Sequence, residues 1–80
     1  MTAYIATFHT HLSALLTCRA LTAAGVAAQM MPVPRRLSAA CGTCVRYTAD
    51  FPMLSCMDTD YEAVYETADN TTPRLLCENR

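Results

Sequence analysis

The sequence predicts an α+β fold of the ferredoxin-like type, in which two helices cover one face of a small, mostly antiparallel sheet. Short runs of β-branched and aromatic residues alternate with two helical patterns in the order βαββαβ. Placing two helices on one face of a four-stranded sheet is the simplest way to bury the apolar faces of these elements. We expect a single domain over residues 1–80, because a chain of 80 residues leaves no room for a second core.

The first half of the chain predicts a strand, a helix and a second strand. Residues 4–8 form a short β-prone run and predict the first strand. Thr10 is placed to cap a helix that runs to about Ala24, and Gly25 then supplies a left-handed C-terminal cap. Residues 26–31 predict the second strand, which the two following prolines end because proline lacks a backbone donor.

The predicted helix carries apolar side chains on two opposite faces. One stripe consists of Ala14, Thr17, Cys18, Leu21 and Ala24, and the other of Leu12, Leu15, Leu16, Arg19, Ala20 and Ala23. Periodicity leaves open which stripe is buried. We expect one face to meet the sheet and the other to contact a partner, with a homodimer as one such assembly.

The second half of the chain predicts a strand, a helix and a last strand. After a loop or single helical turn over residues 35–42, residues 44–48 alternate as a third strand. Residues 59–68 predict the second helix, with Asp58 or Thr59 as its cap. Residues 74–77 predict the last strand.

Charge and hydropathy exclude several classes of function. The formal net charge is -1 and all six basic residues are arginines, so nothing indicates a nucleic-acid partner. The apolar stretch over residues 12–31 contains Arg19 near its centre, which argues against a membrane span. No secretory signal is visible, and we expect a cytoplasmic protein with no membrane partner.

Five cysteines are many for this length: Cys18, Cys41, Cys44, Cys56 and Cys77. An odd number cannot pair fully within one chain, which favours reduced thiols over a disulfide scaffold. Cys41 and Cys44 form a C-x-x-C pair, which is half of a tetrahedral zinc site. His9, His11, Cys56 and Cys77 show no spacing that supplies the other half, so we predict no metal.

Cys41 is the strongest candidate for chemistry. It follows two prolines in an irregular segment, stands next to Gly42, and lies near Arg35 and Arg36 in sequence. Ser38 could cap a short turn whose amides point at the Cys41 sulfur. Amide and guanidinium groups favour the thiolate, which is the nucleophilic form of cysteine. The other cysteines are most simply packing residues, although Cys44 is a candidate partner for Cys41.

Three segments together resemble the selenium/sulfur carrier protein-like family: Phe8-His9-Thr10-His11-Leu12-Ser13-Ala14-Leu15, then Gly25-Val26, then Pro32-Val33-Pro34-Arg35-Arg36-Leu37-Ser38-Ala39-Ala40-Cys41-Gly42. The last contains the family's P-R-x-x-S-x-x-C-G signature, and the resemblance covers about the first 48 residues. It implies that Cys41 is the carrier thiol and that Arg35 and Ser38 match the family's Arg and Ser. Cys44 stands where an apolar residue is more usual.

The leading hypothesis is a carrier, rather than a turnover enzyme, that holds sulfur or selenium on Cys41 between donor and acceptor proteins. Arg35, Ser38 and Gly42 would bind the transferred atom, Cys44 would resolve the persulfide, and no organic cofactor is implied. The alternatives are a thiol–disulfide redox protein that uses Cys41 and Cys44, a non-catalytic interaction module, and metal storage through several thiolates.

Overall fold

Among the residues that the structure describes, five antiparallel strands form one sheet, in the order Ala27–Pro32, Thr43–Ala49, Thr2–Phe8, Tyr61–Thr67 and Arg74–Glu78. The computed structural model describes residues 2–33, 42–67 and 73–78. Along the chain the elements are β1 (Thr2–Phe8), α1 (His11–Ala23), β2 (Ala27–Pro32), β3 (Thr43–Ala49), a short 3₁₀ turn (Leu54–Cys56), β4 (Tyr61–Thr67) and β5 (Arg74–Glu78).

The predicted ferredoxin-like βαββαβ order with two helices is therefore wrong. The second predicted helix, residues 59–68, contains strand β4 instead, which pairs with β1 on one side and β5 on the other. The residues Tyr61, Val64 and Tyr65 suit a helical stripe, but tyrosine, valine and threonine also have high β-propensity. Two neighbouring strands satisfy the backbone of β4, and this pairing outweighs a weak local helical pattern.

The caps of α1 confirm the local prediction for the first helix. The Thr10 hydroxyl accepts the backbone N–H of Ser13 at 3.1 Å. At the other end, Gly25 has a φ of +83°, which a side chain would disfavour. The Gly25 N–H donates to the Thr22 carbonyl at 3.0 Å and the Val26 N–H to the Leu21 carbonyl at 2.9 Å, which completes a Schellman motif.

The core lies between α1 and one face of the sheet. The helix buries Ala14, Thr17 and Leu21, so the structure assigns the first of the two predicted stripes to the sheet. Side chains from the three central strands complete this core: Tyr4, Ala6, Phe8, Val45, Tyr47, Ala49 and Val64. On the outer face of α1, Leu12 remains 63% and Leu16 44% exposed.

Polar contacts fix α1 against the segment that leads into β4. The buried Ser13 hydroxyl donates to the Asp58 carboxylate at 2.8 Å. The Asp58 backbone N–H donates to the hydroxyl of Thr17, also buried, at 2.9 Å. Because both hydroxyls are buried, these bonds also offset the cost of removing them from water. They hold the N-terminal half of α1 in place relative to the sheet.

Tyr47 joins the core to the segment after β3. Its ring stacks on Tyr4 with 5.3 Å between centroids, and its hydroxyl donates to the Pro52 carbonyl. Burial of the phenol raises the pKa of Tyr47 well above its usual value, with smaller contributions from Tyr4, Cys77 and Cys56.

This raised pKa makes stability depend on alkaline pH. Unfolded Tyr47 loses its proton near its ordinary pKa of 10.0, whereas the folded phenol retains it. The free energy of unfolding should therefore be unaffected below that pH and fall as the pH rises above it. Tyr47→Phe should remove the part of this alkaline loss of stability that is due to Tyr47. At neutral pH the variant should lower the free energy of unfolding by about 1 kcal/mol, because the hydrogen bond to Pro52 is lost. Urea unfolding across the alkaline range checks both; an unchanged pH slope in the variant would contradict the assignment.

Candidate functional site

The end of the sheet where β2 stops and β3 starts is the candidate site. Pro32 pairs with Thr43 there, and residues 33–42 connect the two strands. The same end holds the last part of β1, in which Thr7 pairs with Cys44. Helix α1 begins three residues after β1 ends. The N-terminus of α1 therefore lies at the same end of the sheet as the start of β3, which follows the signature segment in the chain.

A contact between His11 and Thr43 joins the helix to this sheet end. The His11 Nδ1 lies 3.3 Å from the Thr43 Oγ1, and the imidazole is exposed. His11 is the first residue of α1, where backbone N–H groups give the helix a partial positive charge. The first turn itself contains no acidic residue, but the Asp58 carboxylate accepts from the Ser13 hydroxyl there and offsets part of that charge. What this end of the helix offers to the surroundings of Thr43 is therefore an exposed imidazole.

Cys44 lies inside the protein at the same end. The residue is 0% exposed, and its Sγ lies 3.7 Å from the Pro32 carbonyl, to which it donates. In the sheet register it pairs with Thr7 on one side and Met31 on the other. Since Val45 and Tyr47 face α1, Cys44 belongs to the opposite face of the sheet. Its thiol is shielded from reagents in solvent.

Three of the predicted site residues, Cys41, Arg35 and Ser38, lie outside the residues that the structure describes. Of the other two, Gly42 is exposed immediately before β3, and Cys44 is buried within it.

Sequence reasoning did not include His11 in the site, because a histidine beside a capping threonine is usually exposed or hydrogen-bonded locally. The only local signal was its place in the first helical turn. Its contact with Thr43, 32 residues away, follows from how the helix and the sheet pack.

The three cysteines predicted to be packing residues do pack against the core. Cys18, Cys56 and Cys77 are free thiols at intermediate exposure and border the core cluster. The Cys77 Sγ lies 3.9 Å from the Tyr61 hydroxyl, and this hydrogen bond raises the pKa of Tyr61, with a smaller contribution from burial. Among the residues described, no three His, Cys, Asp or Glu side chains are grouped to bind a metal.

The described part of the chain contains no helix long and apolar enough to cross a membrane.

Comparison with curated proteins and with solved structures gives no match. A family model does match, over residues 3–56, and this range contains β1 to β3, the signature segment and both cysteines of the C-x-x-C pair. The chain therefore belongs to the family described as "Putative Se/S carrier protein-like".

Proposed function

We propose that this protein carries sulfur or selenium on Cys41, as a persulfide or perselenide, between donor and acceptor proteins of the cytoplasm. The observation that supports this most is the family match, which extends across Cys41 and the residues that flank it. The described sheet end adds an exposed imidazole, a group that can stabilise an anionic sulfur nearby.

In the proposed loading step, the Cys41 thiolate attacks the terminal sulfur of a persulfide on the donor protein. A sulfur–sulfur bond to Cys41 forms, the donor's sulfur–sulfur bond breaks, and the donor leaves as a thiolate. No net oxidation is required, because the transferred sulfur keeps its oxidation state. In the delivery step, a nucleophile on the acceptor protein attacks the terminal sulfur, the sulfur–sulfur bond to Cys41 breaks, and Cys41 leaves as the thiolate.

Arg35, Ser38 and Gly42 have binding roles in this proposal. The Arg35 guanidinium would stabilise the negative terminal atom, while the Ser38 hydroxyl and the Gly42 N–H would donate hydrogen bonds to it. The sequence supports Gly42 at this position, since a glycine next to the reacting sulfur leaves space for the donor to approach. Gly42 is exposed, as such an approach requires.

We extend the proposal to His11 as a residue that favours the reactive form of Cys41. A single residue, Gly42, separates Cys41 from Thr43, and this length of chain spans at most about 7 Å between Cα atoms. Since His11 contacts Thr43, its imidazole can interact with the thiolate, either as a positive charge or as a hydrogen-bond donor.

His11→Gln should slow the alkylation of Cys41 by iodoacetamide about tenfold near neutral pH and change the pH profile of the rate. Peptide mass spectrometry after timed quenching follows Cys41 separately from the other cysteines. His9→Gln is the matched control, because His9 is an exposed neighbour that bonds to the Asp60 carbonyl through its backbone N–H, which the substitution leaves in place. Equal rates in the two variants would remove His11 from the proposal.

Cys44 has the role of a resolving thiol. Its attack on the Cys41 persulfide would form a Cys41–Cys44 disulfide and release the terminal sulfur as sulfide, so that atoms and electrons balance. Because Cys44 is buried, its thiol would not compete with Cys41 for sulfur from the donor protein.

The test compares wild type with Cys44→Ser after loading by a cysteine desulfurase and cysteine, without reductant. Persulfide is measured by cyanolysis, which converts the terminal sulfur to thiocyanate, and released sulfide is measured in parallel. The carrier proposal expects Cys44→Ser to load normally, release less sulfide and retain persulfide longer. A variant that neither loads nor cycles would instead indicate that both cysteines form one redox unit.

The homodimer remains a prediction. The face of α1 assigned to a partner is the exposed one in this structure, with Leu12 and Leu16 as its largest apolar side chains. Donor or acceptor proteins are equally able to cover this face in the proposed carrier cycle.

A further inference from the structure

The two edges of the sheet differ in how they are protected against further pairing. Edge strands in natural proteins usually carry charged residues or bulges, which block the addition of another strand. Strand β5 has both: Arg74 and Glu78 at its ends, and an irregular register opposite Val64 and Tyr65. Strand β2 (Ala27–Pro32) pairs with β3 in an unbroken register and contains no charged residue; the one residue in it that blocks pairing is Pro32, at its end. Within residues 2–33, 42–67 and 73–78, no strand pairs with its outer edge.

A cavity of about 300 Å³ lies on the face of the sheet over β2 and its inner neighbour β3. It is lined by Ala27, Ala28, Gln29, Arg46 and Thr48. Ala27 pairs with Thr48 and Gln29 with Arg46, so the cavity covers the face of these two strands that points away from α1. The two alanines keep it open, because their side chains fill little of the space.

Arg46 places a positive charge at the cavity, and no acidic side chain among the described residues pairs with it. The residue is exposed and pairs with Gln29 in the register between β2 and β3. Within the described ranges, the Arg46 guanidinium forms no hydrogen bond or ion pair, whereas the Arg74 guanidinium pairs with Glu66. A planar guanidinium with unused donors is suited to a carboxylate.

From these observations we propose that β2 binds an extended segment of a partner protein as an additional strand, with an Asp or Glu side chain placed in the cavity against Arg46. The backbone groups on the outer edge of β2 would supply the main-chain hydrogen bonds, and the cavity would select the acidic residue. Neighbouring strands lie about 4.8 Å apart, so the added strand is about 10 Å from β3. Arginine and glutamate side chains extending toward each other over Gln29 span that distance.

The charge of the cavity distinguishes a partner segment from a second copy of this chain. A second β2 strand would satisfy the backbone groups equally well, but its sequence, Ala-Ala-Gln-Met-Met-Pro, offers no carboxylate to Arg46. An acidic extended segment satisfies both the edge and the guanidinium. The proposed partner is therefore recognised by an extended backbone and one acidic side chain.

Selection from a random twelve-residue phage-displayed peptide library on immobilised wild-type protein tests this proposal. The enriched peptides are synthesised and titrated against the ¹⁵N-labelled full chain, with wild type, Arg46→Gln and Arg19→Gln compared. Arg19 is the matched control, because it is an exposed arginine on α1. We expect the peptides to share an acidic residue, to shift amides of β2 and β3, and to bind Arg46→Gln about tenfold more weakly. Arg19→Gln should bind like wild type.

The proposal is overturned if no peptide is enriched, if the enriched peptides lack an acidic residue, or if they bind Arg46→Gln as tightly as wild type. Amide shifts confined to α1 or β5 would also overturn it. Shifts in β2 that depend on protein concentration alone would identify the occupant as a second copy. Binding should be unchanged in Cys41→Ser, so this result is independent of the sulfur-carrier proposal.

Discussion

Replacing Cys41 with serine is expected to abolish loading with sulfur. A serine hydroxyl is ionised to a negligible extent at neutral pH, and it cannot form the sulfur–sulfur bond that a persulfide requires. Cyanolysis of wild type loaded by a cysteine desulfurase should therefore yield thiocyanate in proportion to protein, and Cys41→Ser should yield only the background of the donor enzyme.

Cys18→Ser is the matched control for that experiment. Cys18 is a free thiol on α1 that borders the core and is partly exposed, so its removal tests whether any accessible cysteine accepts sulfur. We expect Cys18→Ser to load like wild type. If Cys41→Ser loaded as well as Cys18→Ser, sulfur would attach without preference for the signature cysteine.

The second large effect concerns the stability of the fold. Phe8→Ala should lower the free energy of unfolding by about 3–5 kcal/mol, which is the usual cost of removing a buried aromatic ring. Phe8 is 0% exposed and ends β1, immediately before the turn into α1. A domain of this size has a total stability of about 4–12 kcal/mol, so the loss is a large share of it.

Phe51→Ala is the control, because Phe51 is 61% exposed and lies just after β3. We expect a change within about 0.5 kcal/mol for that variant. Urea unfolding followed by circular dichroism measures both. If the two phenylalanine variants were equally stable, the core between α1 and the sheet would not be as described.

Local signals explain which parts of the fold were predictable from sequence. Helix α1 was predicted with both ends nearly correct, because a capping threonine and a glycine with positive φ determine them within a few residues. Strands β1, β2, β3 and β5 were placed to within two residues for a similar reason, since each is a short β-prone run. Strand β4 was missed because its seven residues fit a helix and a strand equally well, and only pairing with β1 and β5 decides between them.

The candidate site likewise combines features that a local sequence pattern predicts with features that depend on packing. The signature around Cys41 is contiguous in sequence, and it predicted the family that the comparison confirms. The contact between His11 and Thr43 depends on how α1 and β3 pack, and the pairing of Gln29 with Arg46 depends on strand register. Neither is encoded in a local pattern, so both required the folded arrangement.

Intact-protein mass spectrometry without reductant tests the central claim most directly. Wild type and Cys41→Ser are each exposed to a cysteine desulfurase and cysteine, and their masses are compared before and after. The carrier account predicts that wild type gains the mass of one sulfur atom and that Cys41→Ser gains none. If both proteins remain unmodified, or both gain the same mass, Cys41 is not a dedicated sulfur acceptor. A loss of two hydrogens that requires both Cys41 and Cys44 would instead identify a thiol–disulfide redox protein.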